Sequence, residues 1–344
     1  MRSLIAQKKC SDAEAAKFAG TFMTENNYDL LISEDTDVQT EDGRWLLRFR
    51  KNIIPTALAA AAYKNLRNAA SKNDNRGLAS GLVNLNNVRN PDAVGVAKGT
   101  RFREVKGDGT LSNQTRANIV NSGIIGYFDR GTRFPYCRQT AFNEKHLKKF
   151  NGALPFVRAV DKLYAQLMPE HYALQREIAD HTAQDFVIRG TAFTTLTVNK
   201  NFQTAVHTDA GDFQQGFGNL SVLQAGHYDG GYTVFPQYRI AIDVRSCDLL
   251  LMNVHEWHGN TPIIGKSAKF ERVSLVMYYR ENMINCKSAA EEQEIAKRRK
   301  KGEKLRFCYM ICQIKWQKIT KIKKNHPSYD HSITDEMRTK NCEC

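Results

Sequence analysis

In the stretch "AVHTDAGDFQQGFGNL" (205–220), His207 and Asp209 stand one residue apart between apolar runs. Residues i and i+2 of an extended segment lie on one side of it, so both side chains can reach a single ion. Two more histidines, His255 and His258, occur in "NVHEWHGNTP" (253–262). A His-x-Asp pair completed by a distant histidine is the facial ligand set of non-haem Fe(II) oxygenases, which keeps positions open for a co-substrate and O2. His258 is the preferred third ligand, because it directly precedes Gly259 and stands fourteen residues before Arg272. His255 is the rival, expected to pack with Trp257 or to face solvent.

An isolated HxD arises often by chance; Arg272 gives this one weight. A guanidinium inside the apolar run "FERVSLVMYY" needs a partner, because an unpaired buried charge is strongly destabilising. A carboxylate taken bidentately is the natural one. Ser274 shares the face of Arg272 and adds a hydroxyl donor. Together they suit the distal carboxylate of 2-oxoglutarate while its keto-acid end chelates iron. The expected site is therefore His207, Asp209 and His258 as metal ligands and catalytic centre, with Arg272 and Ser274 holding the co-substrate.

Such ligands need strands to carry them. Between 186 and 282 the pattern is one of short strands: "TAFTTLTVN", "HYDGGYTVF", "YRIAIDV", "CDLLLMNV" and "RVSLVMYY". Asp229-Gly230 reads as a hairpin turn. Helical spacing precedes them, in Phe156, Val160, Leu163, Tyr164 and Leu167, then in Glu170–His181 beyond Pro169. Thr56 is a candidate N-cap for "TALAAAAYKNLRNAA". Helices first and strands afterwards exclude a parallel βαβ sheet. The predicted fold is α+β, a double-stranded β-helix (jelly roll) with N-terminal scaffold helices and a basic C-terminal extension. The expected organisation is an extension over 1–37, an oxygenase domain over 38–290 and a basic tail over 291–344. Within the domain, 72–122 is rich in Asn, Gly, Lys and Asp and reads as a low-complexity, partly ordered insertion.

Composition narrows the partners. No apolar run approaches the ~18 residues of a membrane span, and no secretory signal is expected, which predicts an intracellular protein with no membrane partner. The eight cysteines form no CxxC pair, so a zinc finger is excluded and reduced thiols are expected. The formal net charge of +14 is uneven: between Ile295 and Lys324 there are 12 Lys/Arg against one acid, Glu303. Interleaved with Phe307, Tyr309 and Trp316, these cations suit nucleic-acid phosphates. The core Lys297, Arg298, Arg299, Lys300 and Lys301 would also serve as a nuclear import signal in a eukaryote.

The stretches "TLTVNKNFQTAVHTDAGDFQQGFGNLSVL", "GGYTVFPQYRIAIDVRSCDLLLMNVHEWHGNTP" and "RVSLVMYYREN", with "RFRKNIIP", "NRGLASG", "GYFDR" and "PYCRQTAF" upstream, resemble the TET/JBP family of Fe(II)/2-oxoglutarate oxygenases. The small viral, algal and fungal members are most similar, and the likeness extends from about residue 38 to 305. It implies a double-stranded β-helix and oxidation of the 5-methyl group of a pyrimidine in nucleic acid. His207, Asp209 and His258 are then the iron ligands and Arg272 the 2-oxoglutarate anchor. It also gives Asp212 a place in the base pocket, where a carboxylate accepts from cytosine N4 or thymine N3–H. Asn199, Thr197 and Arg138 are further substrate candidates.

The function so implied is a dioxygenase using Fe(II), 2-oxoglutarate and O2 on DNA, or on RNA, acting as a monomer. Conversion of 5-methylcytosine to 5-hydroxymethylcytosine is placed first and thymine to 5-hydroxymethyluracil second. One alternative keeps the chemistry on a protein side chain or small molecule. Another is a nucleic-acid-binding module with an inactive core, which the intact ligand set argues against.

Overall fold

The computed structural model describes residues 1–87 and 90–300. Two sheets face one another. The elements that matter are β1 (Arg2–Ala6), β2 (Leu30–Ile32), β3 (Thr36–Thr40), β4 (Trp45–Arg50), α1 (Thr56–Leu66), β5 (Val120–Phe128), α2 (Leu147–Leu167) and α3 (Pro169–Asp180), followed by the strands that carry the site. Those are β6 (Thr195–Lys200), β7 (Gly218–Ala225), β8 (Thr233–Phe235), β9 (Ile240–Ile242), β10 (Leu249–Met252), β11 (Gly259–Asn260) and β12 (Glu271–Tyr278). The large sheet runs β1-β3-β4-β10-β7-β12-β6-β5 and the small one β11-β8-β9-β2. Successive strands from β6 onward are dealt between the two sheets, with antiparallel pairing among them. This is the double-stranded β-helix.

Alternation along each strand sorts the side chains. In β12, Val273, Leu275 and Met277 join the core shared with Phe150, Phe156, Val160 and Tyr164 of α2 and with Ala62 and Leu66 of α1. Arg272, Ser274, Val276 and Tyr278 alternate with them and line the cavity between the sheets. In β6, Leu196 and Val198 face the helices, whereas Thr197 and Asn199 face the cavity. A second core, with Leu220, Val222, Phe235, Ile240, Ile242 and Leu250, glues the sheets. At about 25 cal/mol per Å² of apolar burial, these two cores dominate the driving force for folding.

Several expectations need correction. Asp229-Gly230 is not a hairpin turn: Tyr228–Gly230 pairs with Ile263–Gly265, and the chain bends before β8. Gly231 makes the bend at φ +67, and a Cβ there would stand 2.9 Å from Arg272 Nε. Thr56 opens α1 rather than capping it; Pro55 is the N-cap and makes no side-chain bond. Residues 72–122, expected to be a partly ordered insertion, hold regular structure. They fold into a three-stranded antiparallel sheet of Val94–Lys98, Arg101–Val105 and Leu111–Arg116. Nor do residues 1–37 stand apart: β1 extends the large sheet in parallel to β3, and β2 extends the small one in parallel to β9.

Two of the cysteines expected to be reduced are bridged. Cys137 and Cys286 form a disulfide with Cα atoms 5.7 Å apart, a span that suits the bond. A sequence separation of 149 residues gives no hint of that proximity. Cys10 and Cys247 are free thiols.

Residues Met1–Glu292 form one compact unit, and the described residues from Gln293 to Lys300 lie outside it. A helix covers Ala289–Lys300. Lys297, on this helix, pairs with Glu294 at 2.6 Å, and Arg298 and Arg299 follow it. Lys301, Phe307, Tyr309 and Trp316 lie outside the described residues. No described helix is long and apolar enough to cross a membrane.

Candidate metal centre and co-substrate cavity

His207 and His258 sit directly opposite one another in an antiparallel bridge. Their backbones exchange hydrogen bonds of 2.9 and 3.0 Å, and Asp209 N donates to Val254 O at 3.0 Å. The segment after β6 is thus pinned beside β11, which brings residues about fifty apart in sequence into one cluster.

The ligand atoms of His207, Asp209 and His258 all lie within 4.8 Å of one another. His207 Nε2 is 3.7 Å from one Asp209 oxygen, and His258 Nε2 is 3.9 Å from the other. Each imidazole is oriented by a backbone carbonyl: His207 Nδ1 meets Ala205 O at 2.8 Å and His258 Nδ1 meets Glu256 O at 2.9 Å. Nδ1–H donation to a carbonyl leaves the Nε2 lone pair for an ion. Burial, with His207 beside it, holds the His258 pKa down at about 4, so its ring is neutral and ready to ligate at neutral pH. Two imidazole nitrogens and one carboxylate oxygen are a donor set that fits Fe(II). His255 is placed elsewhere, with Nε2 3.3 Å from Phe213 O. It does not pack with Trp257, which lies against the cluster around Met23 and Val206.

The three ligands open into a cavity of about 320 Å³ that also takes in Arg272, Ser274, Asn199, Thr197, Asp212 and Arg76. Arg272 is 3% exposed. Its Nη2 donates to Gly231 O at 3.0 Å, while its Nε has no hydrogen-bond partner among the described residues. Burial pushes its pKa down. A buried guanidinium with an open donor is a site that fits a carboxylate. Asn199 and Ser274 face each other across the β6–β12 ladder.

Asp212 follows the metal ligands on a turn whose backbone bridges to Arg280. Its Oδ2 is buried without a partner. Burial, reinforced by the Asp209 carboxylate and opposed by Arg280, pushes the Asp212 carboxyl well above the usual carboxylate range. Arg138 is not among the cavity's lining residues. Its guanidinium lies 4.7 Å from the Phe128 ring centre and 4.3 Å from that of Phe134.

Arg76 was not anticipated. It reaches the cavity from the Asn- and Gly-rich segment, donates from Nε to Ser122 Oγ at 2.6 Å and approaches Asn199 Oδ1 at 3.5 Å. Burial lowers its pKa, so it too is a cation short of water. The one signal for it was an arginine in an otherwise neutral "NRGLASG". Tyr278, alternating with Arg272 and Ser274, completes this wall and stands 3.3 Å from Thr197 Oγ1.

A double-stranded β-helix carrying two histidines, a carboxylate and a buried arginine defines the class of Fe(II)/2-oxoglutarate oxygenases. Residues 123–281 match the family model described as Tet_JBP, oxygenase domain of the 2OGFeDO superfamily. The superfamily's cofactors are Fe(II) and 2-oxoglutarate, with O2 as co-substrate, and the donor set above fits them. Thymine dioxygenase JBP1 of Trypanosoma brucei brucei is 40% identical over 165 residues, 46% of this chain and 19% of that protein. Bifunctional helicase and thymine dioxygenase JBP2 of Leishmania major is 35% identical over 176 residues, 51% of this chain and 16% of that protein. The chain therefore spans under a fifth of the length of these relatives. A solved structure of NgTET1 in complex with 5mC DNA gives a TM-score of 0.49 at 12% identity, over 83% of this chain and 95% of that one.

Proposed function

We propose that this chain is an Fe(II)- and 2-oxoglutarate-dependent dioxygenase that oxidises the 5-methyl group of a pyrimidine in DNA. The observation that carries the reading is the shared cavity: three converging ligands and a buried arginine with an open donor. Thymine is placed ahead of 5-methylcytosine, reversing the order expected from sequence, because the matched relatives are named thymine dioxygenases.

Iron, when bound, supplies the oxidising power through O2 and the decarboxylation of 2-oxoglutarate. The chain supplies the geometry. His207, Asp209 and His258 would hold the metal. Arg272 takes the distal carboxylate of 2-oxoglutarate, and Ser274 adds a hydroxyl. Arg76 offers a second, half-buried guanidinium to a co-substrate that carries two carboxylates. Asp212, with Asn199 and Thr197, borders the remaining space and faces the base. A protonated Asp212 presents one donor and one acceptor. That pair matches N3–H and O4 of thymine as well as N4 and N3 of cytosine, so Asp212 reads a pyrimidine edge without choosing the base. A base in duplex DNA reaches the cavity only if its nucleotide is flipped out of the stack.

The test is nucleoside mass spectrometry after incubation with iron, 2-oxoglutarate and DNA containing thymine or 5-methylcytosine, alongside the matching RNAs. Hydroxymethyluracil from the DNA substrate is expected. Turnover of 2-oxoglutarate with no oxidised nucleoside from any of them would move the substrate to a protein side chain or small molecule.

A further inference from the structure

The mouth of the cavity is apolar in an unusual way. Leu78 lines the cavity and yet is 40% exposed; Leu82 is 47% and Phe22 37% exposed. The three are contiguous: a Cβ on Gly20 would touch Leu82 at 3.1 Å and Leu78 at 3.5 Å, and one on Gly81 would strike the Phe22 ring at 2.7 Å. A contiguous exposed apolar patch is retained where something docks on it.

We propose that Leu78, Leu82 and Phe22 form a wedge that enters a DNA duplex at the base pair vacated by the target nucleotide. This rests on the reading of DNA as the substrate. Three observations carry it. The first is continuity, since Leu78 belongs to both the cavity wall and the exposed patch; whatever fills the cavity brings its neighbours against Leu82 and Phe22.

The second is how firmly the patch is held. Leu82 N donates to Gly20 O at 2.9 Å, Ala205 N to Ala79 O at 2.9 Å and Gly20 N to Val206 O at 2.8 Å. These bonds splice both loops onto the segment that carries His207. Beneath them, the fully buried Asn118 donates to Ser80 O at 2.9 Å and Leu82 O at 2.7 Å. A wedge must be rigid, because an ordering cost on binding would consume what it gains.

The third is charge. Val83 N donates to Gly99 O at 2.8 Å, which sets the tip of the hairpin between Val94–Lys98 and Arg101–Val105 beside Leu82. Lys98 and Arg101 are exposed at that tip, and neither makes an ion pair among the described residues. Cations flanking an apolar edge match the phosphates on either side of an unstacked base step. A lipid partner would not need the cavity behind the wedge.

The experiment compares kcat/KM on one oligonucleotide presented as a duplex and as a single strand, for the wild type, Leu82→Ser, Phe22→Ser and the bulk-conserving Leu82→Met. Single strands have no partner base to replace, so the duplex-to-single-strand ratio isolates the wedge from folding and from chemistry. The ratio is expected to fall about tenfold in both serine variants, the scale of losing one unstacking contact, and to stay within about twofold in Leu82→Met. An unchanged ratio in the serine variants overturns the wedge. So does a wild type that oxidises single strands alone, which leaves the DNA reading standing. A wild type that oxidises neither form overturns both.

Discussion

Both histidines of the proposed metal centre are usable because a neighbour has fixed their orientation. His207 and His258 give up Nδ1 to backbone carbonyls so that Nε2 can face the ion. Arg272 is set by Gly231, whose carbonyl receives Nη2 and whose missing side chain leaves room for Nε. Gly231→Ala puts a Cβ 2.9 Å from that nitrogen at a positive φ that alanine resists. The expected outcome is a KM for 2-oxoglutarate raised about tenfold or more, since a misplaced positioning group can cost ~100-fold. Iron affinity, measured by calorimetric titration, should move far less. Equal loss of iron and 2-oxoglutarate binding would show that Gly231 supports the whole site instead. The proposed ligands and the anchor proposed at Arg272 could be read from the sequence because their chemistry is local: HxD spacing on an extended chain, and a charge where a strand should be apolar. Arg76 was not legible, because nothing in "NRGLASG" says that its loop folds back over β6.

At the scale of elements, strand alternation explains most of what could be read. Arg272, Ser274, Val276 and Tyr278 share a face, so one strand delivers the anchor and much of the wall. Pairing partners are another matter. Asp229-Gly230 carries a hairpin signal, but the strand it interrupts pairs with Ile263–Gly265, thirty-odd residues on. The position of β12 against the preceding scaffold rests on Glu271. Its carboxylate receives Arg67 Nη2 at 2.6 Å, Lys200 Nζ at 2.8 Å and Tyr63 Oη at 2.8 Å. Burial pushes the Glu271 pKa up, but the bonds from Arg67, Lys200 and Tyr63 outweigh it and bring the value down from 4.5 to about 2. A carboxyl depressed by folding contributes stability that is fully present above its unfolded pKa and is lost as pH falls through the folded one. Glu271→Gln should therefore lower Tm at pH 7, with the gap to the wild type closing between about 4.5 and 2. A gap that stays constant across that window would mean that packing, not charge, is what the glutamate supplies.

For the whole molecule, β1 and β2 extend the two sheets, while the concentrated basic charge belongs to the segment from Ile295 to Lys324. If Lys297, Arg298, Arg299, Lys300 and Lys301 contact phosphates, truncation before Ile295 should weaken DNA binding and flatten its dependence on salt. An unchanged slope would assign the DNA contacts to the oxygenase unit alone. The Cys137–Cys286 bridge was beyond sequence reasoning, because only the folded chain brings residues 149 positions apart together. The central claim is that His207, Asp209 and His258 hold the iron at which 2-oxoglutarate is consumed. It is tested most directly by succinate release from DNA-containing reactions, with and without iron, for the wild type and His207→Ala. The account predicts iron-dependent succinate from the wild type and none above background from the variant. Succinate release that survives His207→Ala would contradict it.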